Sequence, residues 1–283
     1  MNGPSAGPAH PPTRDVAAAF GEMAAVRALA GGQGRTWVGS HVVMKAAQPV
    51  DQVRFVADVL SRSLRPAGLR LPRPIQVDGD WIVDGWWAYE WLPGNGAPHR
   101  VAEVVEISAA LHRWLADAPR PTFAVDDVWG RAARDAWEDV STPQSGPYRR
   151  QIDALIAYRQ PMSPARGAQL IHTDLAFNVL FDPSAAPAVI DWTPMWYPPD
   201  WATAIVVVDA LDTGDAGPEL TTAKPTTSTW AQLLLRAELF RLLVKNRVWR
   251  SGTSIVDNKR FHARTVNLLC HLCETVSGNP RDY

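Results

Sequence analysis

Three short apolar runs, at residues 169–172, 178–181 and 188–191, interrupt a part of the chain otherwise patterned for helix. Each is too short for a stable helix and has the length of a buried strand. Leu170 and Ile171 run into His172, and Val179, Leu180 and Phe181 run out from Asn178. The polar residues between them must therefore sit on a turn held by buried strands. Asp191 ends the third run, so its carboxylate emerges beside that turn. Asp174, Asn178 and Asp191 thus converge as oxygen donors, and oxygen donors suit a hard cation such as Mg²⁺.

The rest of the chain divides by period. Residues 1–13 are rich in Pro, Gly and Ala and read as a disordered tail. A helical face starts at Asp15 with Val16, Ala19, Phe20 and Met23. Strand-like runs follow at 35–38 and 41–45, joined by Gly39 and Ser40, then a helix at 51–64 carrying Val53, Val56, Val59 and Leu60. Further strands at 75–77, 81–83 and 86–91 are separated by Asp-Gly turns. This predicts a small sheet with one main helix over 14–93. From 94 onward the pattern is helical, at 101–116, 126–140, 148–159, 201–211, 229–244 and 261–276. A turn is expected at 182–187, and the three apolar runs at 169–191 are expected to form one β-rich island.

Composition removes several function classes. A net charge of −1 provides no basic field for nucleic acid or an anionic membrane. No apolar span reaches 18 residues and no signal-like start is visible, so the expected location is cytoplasmic. The lysines are only Lys45, Lys224, Lys245 and Lys259, against many arginines, which singles each of them out. Cys270 and Cys273 lie at C-x-x-C spacing and, with His262 and His271, offer a zinc donor set. The apolar run around them reads more simply as packed helix with small thiols in a core. Among the thirteen tryptophans, Trp192, Trp196 and Trp201 follow Asp191 and suit either core packing or the wall of a pocket.

His172-Thr173-Asp174, Asn178 and the later Val189-Ile190-Asp191-Trp192 resemble the catalytic loop and metal-binding aspartate of the aminoglycoside phosphotransferase-like kinases. The resemblance runs outward over most of the chain. Gly31, Gly32 and Gly34 fall at the phosphate-covering loop, and Lys45 falls on the strand that carries the phosphate lysine. Residues 88–94, with Glu90, Trp91 and Leu92, resemble the adenine hinge. Residues 109–112 resemble the helix ending in Leu-His, and two phrases, at 31–34 and 190–196, resemble an actinobacterial branch.

The resemblance implies an α+β, bilobal protein-kinase-like fold. It has a small antiparallel-sheet N-lobe with one main helix (14–93, hinge 89–94) and a larger, mainly helical C-lobe (94–283). It further implies an ATP-dependent, Mg²⁺-requiring phosphotransferase acting on the hydroxyl of a small molecule. Asp174 would take the proton, Asn178 and Asp191 would hold the metal, and His172 would brace the loop. No nucleic-acid or membrane partner is implied.

Two departures define the alternatives. Asp174 and Asn178 stand one residue closer than the family's loop has them, and Thr173 replaces its usual Gly. The helix after Lys45 has Val56 where a Glu should orient the lysine, leaving Asp58 or Asp51 as substitutes. These favour a degenerate nucleotide-binding or regulatory protein of the same fold. A metal-dependent hydrolase built on His172, Asp174 and Asp191 is the third reading, and it leaves Lys45 and the glycine cluster unexplained.

Overall fold

The sequence periods resolve into eight α-helices and ten strands in a computed structural model that describes residues 10–29, 36–138, 145–250 and 259–277. The first elements are α1 (Arg14–Ala19), β1 (Arg27–Ala28), β2 (Thr36–Val38), β3 (Val42–Ala46) and α2 (Val50–Leu60). Next come β4 (Ile82–Val83), β5 (Trp86–Glu90), β6 (Asn95–Gly96), α3 (Val101–Leu115), α4 (Val128–Trp137) and α5 (Arg149–Tyr158). The remainder are β7 (Gln169–His172), β8 (Val179–Asp182), β9 (Ala185–Val189), β10 (Pro194–Tyr197), α6 (Pro199–Thr213), α7 (Ser228–Arg250) and α8 (Lys259–Ser277). The chain divides into two units, one of residues 1–96, 121–123 and 179–192, the other of 97–120, 124–178 and 193–283.

In the first unit an antiparallel sheet runs in the order β1-β2-β3-β5-β4. Val42 and Met44 on β3 and Trp86 and Ala88 on β5 bury the same face, and Val16, Ala17 and Phe20 of α1 cover it. Met23 from the predicted α1 face lies past the end of that helix and is exposed. α2 buries Val53, Val56, Ala57, Val59 and Leu60, the stripe that its period demands. A buried carboxylate, Glu22, pins the β2–β3 turn by accepting from the backbone N–H groups of Ser40 and His41, at 2.5 and 3.2 Å. A Cβ at Gly39 would lie 2.2 Å from Glu22 Oε2, so a larger residue there would have to displace that carboxylate.

The predicted β-rich island at 169–191 separates into two ladders. β8 pairs with β9 and with β6 in the first unit, whereas β7 pairs with β10 in the second, Ile171 opposite Met195. The cause is local. Residues Leu175–Phe177 form a 3₁₀ turn after β7 and redirect the chain, so β7 and β8 cannot make a hairpin. The expected turn at 182–187 is tighter: Asp182 Oδ1 accepts from Ser184 N and Oγ, and β9 begins at Ala185.

The second unit is a helical body. α6 and α7 are buried nearly all round, α6 with mostly apolar residues and α7 with Gln232, Arg236, Glu238 and Arg241 among those it buries. α6 starts with Pro199 inside its first turn and stops at Gly214 in the left-handed conformation, φ +81°. Trp201 is wholly buried between Trp137, Tyr197 and Phe240, with ring centroids 4.8–5.4 Å away. Burying such a ring contributes about 1.5–3 kcal/mol, and this one builds core. Trp196 is only partly buried and carries Arg120 over its ring at 5.9 Å. Among the described residues no helix is long and apolar enough to cross a membrane.

Candidate active site

In the first unit, Lys45 lies on β3 and Asp191 follows β9. The chain turns at Asp191 through a left-handed backbone, φ +51°, a conformation that Asp tolerates better than most side chains. Lys45 Nζ donates to Asp191 Oδ1 at 2.5 Å. Burial disfavours the ammonium, but the Tyr89 oxygen and the Asp191 carboxylate outweigh it and hold Lys45 above the ordinary lysine range. Burial, and then Asp191, push the Tyr89 phenol up.

The carboxylate paired with Lys45 in this structure is thus Asp191. Asp58, expected from the helix as the lysine's partner, instead accepts from Trp81 Nε1 at 2.7 Å. At the hinge, Glu90 N–H donates to the Arg73 carbonyl and Trp91 N–H to the His41 carbonyl, while Arg70 bonds the Pro93 carbonyl. These bonds fix the backbone of 90–93, with Leu92 between two anchored residues. Gly31, Gly32 and Gly34 lie outside the described residues.

In the second unit, the turn after β7 is held by a histidine relay. His112 on α3 is buried, and burial, helped by nearby His172, lowers its pKa to about 4. It is therefore neutral: Nδ1–H donates to the Ser108 carbonyl at 2.7 Å, and Nε2 accepts from the His172 backbone N–H at 3.1 Å. His172 Nδ1 in turn accepts from Asp174 N–H at 3.1 Å. His172 is buried and acts here as a brace for the loop.

The Asp174 side chain has two partners. Asn178 Nδ2 donates to Asp174 O at 2.8 Å and to Oδ2 at 3.1 Å. Arg241 of α7 donates from Nη2 to Asp174 Oδ1 at 2.9 Å. The same guanidinium grips Asp209 of α6, with Nε 2.6 Å from Oδ1 and Nη2 2.5 Å from Oδ2. Burial pushes the Asp209 carboxyl up to about 6 against the pull of Arg241, so it is ionised at neutral pH. Burial works against the charge on Arg241, but Asp209 and Asp174 raise its pKa further.

Sequence reasoning missed Arg241 and Asp209. The signal available was a charged residue at a buried position in each of two helices. Beside Asp209 lies a shallow cleft walled by α3, the 3₁₀ turn and α6, with Val101, Val104, Phe177 and Val206 on its sides and Asp215 at one end.

In the second unit the Asn178 amide nitrogen is held by Asp174, which leaves its amide oxygen free of that contact. In the first unit the Asp191 carboxylate is half exposed. Oxygen atoms of both kinds suit a hard cation.

No family model matches the chain, and no curated protein matches it in sequence. Solved structures do match. A choline kinase from Streptococcus pneumoniae aligns over 91% of this chain and 97% of its own, with TM-score 0.60 and 14% identity. An aminoglycoside phosphotransferase from Alicyclobacillus acidocaldarius aligns over 89% and 92%, with TM-score 0.54 and 15% identity. An aminoglycoside phosphotransferase solved with AMP-PNP and hygromycin B aligns over 94% and 99%, with TM-score 0.54 and 14% identity. At such identity the likeness establishes architecture and leaves chemistry to the residues. An antiparallel-sheet N-terminal part followed by a helical C-terminal part gives this chain the kinase-like fold found in aminoglycoside phosphotransferases and choline kinases.

Proposed function

We propose that this protein transfers the γ-phosphoryl group of ATP to a hydroxyl of a small molecule in the cytoplasm, with Mg²⁺ as the required ion. The observation that carries the reading is the anchored Asp174. Its backbone is fixed through His172 and His112, and its carboxylate is positioned by Asn178 and Arg241. Phosphoryl transfer depends on positioning and charge neutralisation more than on covalent help.

Asp174 orients the acceptor hydroxyl and accepts its proton as the bond to phosphorus forms. The Arg241 contact fixes the orientation of that carboxylate, which suits a reaction governed by positioning. Lys45 exchanges its contact with Asp191 for phosphate oxygens. The glycine cluster at 31–34 is the candidate phosphate cover that the resemblance implies, and the 90–92 backbone receives the adenine. Asn178 and Asp191 are the residues that would hold Mg²⁺, and that ion would supply charge neutralisation of the triphosphate. The cleft beside Asp209 is the candidate seat for the acceptor. The domain reading places the nucleotide half at 14–93 and the acceptor half at 94–283, and the actinobacterial branch rests on the two phrases that suggested it.

The test is ADP release with a panel of aminoglycosides, amino sugars and choline-like alcohols, with Asp174→Asn as control. A panel member that drives release in the wild type alone supports the reading. Asp191→Ala should abolish Mg²⁺-ATP binding by calorimetry, and undiminished binding would remove it from the metal site. A second reading, a nucleotide binder without turnover, is favoured by the shortened loop, in which both Asp174 oxygens already have partners. It predicts Mg²⁺-ATP binding with no acceptor-dependent ADP release.

A further inference from the structure

Asp212 of α6, Glu238 of α7 and His262 of α8 meet in the core of the second unit. All three are buried, Glu238 completely, and one donor atom from each lies within 4.8 Å of the others. His262 Nδ1 stands 2.8 Å from Asp212 Oδ2 and 2.9 Å from Glu238 Oε1. The phosphotransfer reading uses none of these residues.

Two carboxylates out of water cost several kcal/mol each unless they are neutralised and bonded. A protonated His262 supplies one charge and a single Nδ1–H, and one N–H directs well at only one of two acceptors. Glu238 Oε2, in a side chain with no exposed surface, meets no hydrogen-bond partner among the described residues. Lys245, partly buried on α7, adds positive charge felt by both carboxylates, while its own ammonium is disfavoured by burial.

A divalent cation answers these conditions together. Placed at the Nδ1 lone pair it faces both carboxylates and cancels their charge. Donors about 3 Å apart are the neighbours expected around one ion with bonds of roughly 2.0–2.2 Å. The surroundings are those of a ligand set already oriented from outside. Thr265 Oγ1 donates to Asp212 Oδ1 at 2.8 Å, and the Tyr148 ring packs edge-on against His262 at 5.4 Å.

We propose that Asp212, Glu238 and His262 bind one divalent transition-metal ion of the zinc class, which ties α6, α7 and α8 together. A mixed imidazole and carboxylate set favours such ions over Mg²⁺. This replaces the zinc set suggested by the C-x-x-C spacing. His262 faces the two carboxylates, whereas His271 is exposed and lies 3.7 Å from Glu274. Burial pushes the Cys270 and Cys273 thiols up to about 11 and about 12, so they remain protonated at neutral pH.

The experiment uses the full chain without nucleotide, stripped by chelator and titrated with Zn²⁺ by calorimetry and thermal melting. One equivalent of Zn²⁺ per chain and a raised melting temperature are expected. Glu238→Gln and His262→Gln should lose the binding, and Thr265→Val should weaken it roughly 10- to 100-fold. Asp191→Ala and the Cys270→Ser, Cys273→Ser pair should keep the stoichiometry. Co²⁺ titration of the wild type gives a readout that does not depend on folded variants: d–d bands without thiolate charge transfer are expected. Substoichiometric Zn²⁺ in the wild type, a thiolate band, or full binding by His262→Gln would each overturn the proposal.

Discussion

Lys45 meets Asp191 in the first unit with nearly half of the carboxylate side chain exposed. Arg241 meets Asp209 in the second with less than a tenth of either side chain exposed. The first contact joins a flexible point charge to a solvated carboxylate, and the second joins a planar fork to a carboxylate that has no other way to be neutralised. A pair whose carboxylate side is open to water forms and breaks at lower cost than a fully buried one, so the lysine is available to another anion. A buried arginine fork is rigid, and Arg241 passes that rigidity to Asp174 through the same Nη2 that holds Asp209. The contrast separates a contact suited to exchange from one suited to hold geometry.

The sharpest way to test the rigid side is Asp174→Asn. It keeps the shape of the side chain and removes the proton acceptor, so acceptor-dependent ADP release should fall about 10²- to 10⁴-fold. ATP affinity should stay near that of the wild type. Initial rates and calorimetry check both, and a rate unchanged within assay scatter would take Asp174 out of the chemistry.

Arg241→Met tests the fixed scaffold directly. It strands Asp209 as a buried, unpaired carboxylate, for which the expected loss is about 3–5 kcal/mol by urea denaturation. Adding Asp209→Leu should recover most of that loss, since the cost lies in the uncompensated charge. A single variant as stable as the wild type would mean that the fork contributes nothing.

His112 gives the second unit a pH dependence of predictable sign. Its folded pKa, about 4, lies below the unfolded value near 6.5, so the unfolded chain binds the proton first. Stability contributed by keeping this ring neutral is full above pH 6.5 and is lost as the pH falls toward 4. At about 1.4 kcal/mol per pKa unit the loss is roughly 3 kcal/mol. Denaturation at pH 7 and pH 5 should show a gentler decline in His112→Gln, and equal slopes would refute the assignment.

What was readable in the sequence followed from local pattern. Apolar runs closing on polar residues located Asp174, Asn178 and Asp191, and the scarcity of lysine drew attention to Lys45. Arg241 and Asp209 were invisible because each is one of several charged residues in its helix, and no local pattern pairs one with the other. Their significance lies in a contact across 32 positions, and the Arg241–Asp174 contact spans 67. The β7–β10 ladder was missed for a related reason: Pro194 opens a four-residue strand whose partner lies before the turn, where no hairpin signal exists. The direct Lys45–Asp191 bond is not legible in sequence, because the left-handed backbone that presents Asp191 is not written in any short pattern.

The smallest expected effect on stability is also the one that best distinguishes the two contacts. Lys45→Met removes the cation from a pair whose carboxylate is half in water, and that carboxylate simply hydrates. The expected loss is at most about 1 kcal/mol, several-fold below that of Arg241→Met. Methionine keeps an unbranched apolar stem at this β3 position, and the packed face of the strand, Val42 and Met44, is untouched. If the lysine is there to exchange partners, Mg²⁺-ATP affinity in this variant should nonetheless drop by tenfold or more, about 1.4 kcal/mol. Calorimetry beside a urea melt measures both quantities on one preparation. A variant that loses several kcal/mol of stability, or one that binds nucleotide as tightly as the wild type, would erase the distinction between an exchangeable pair and a fixed one.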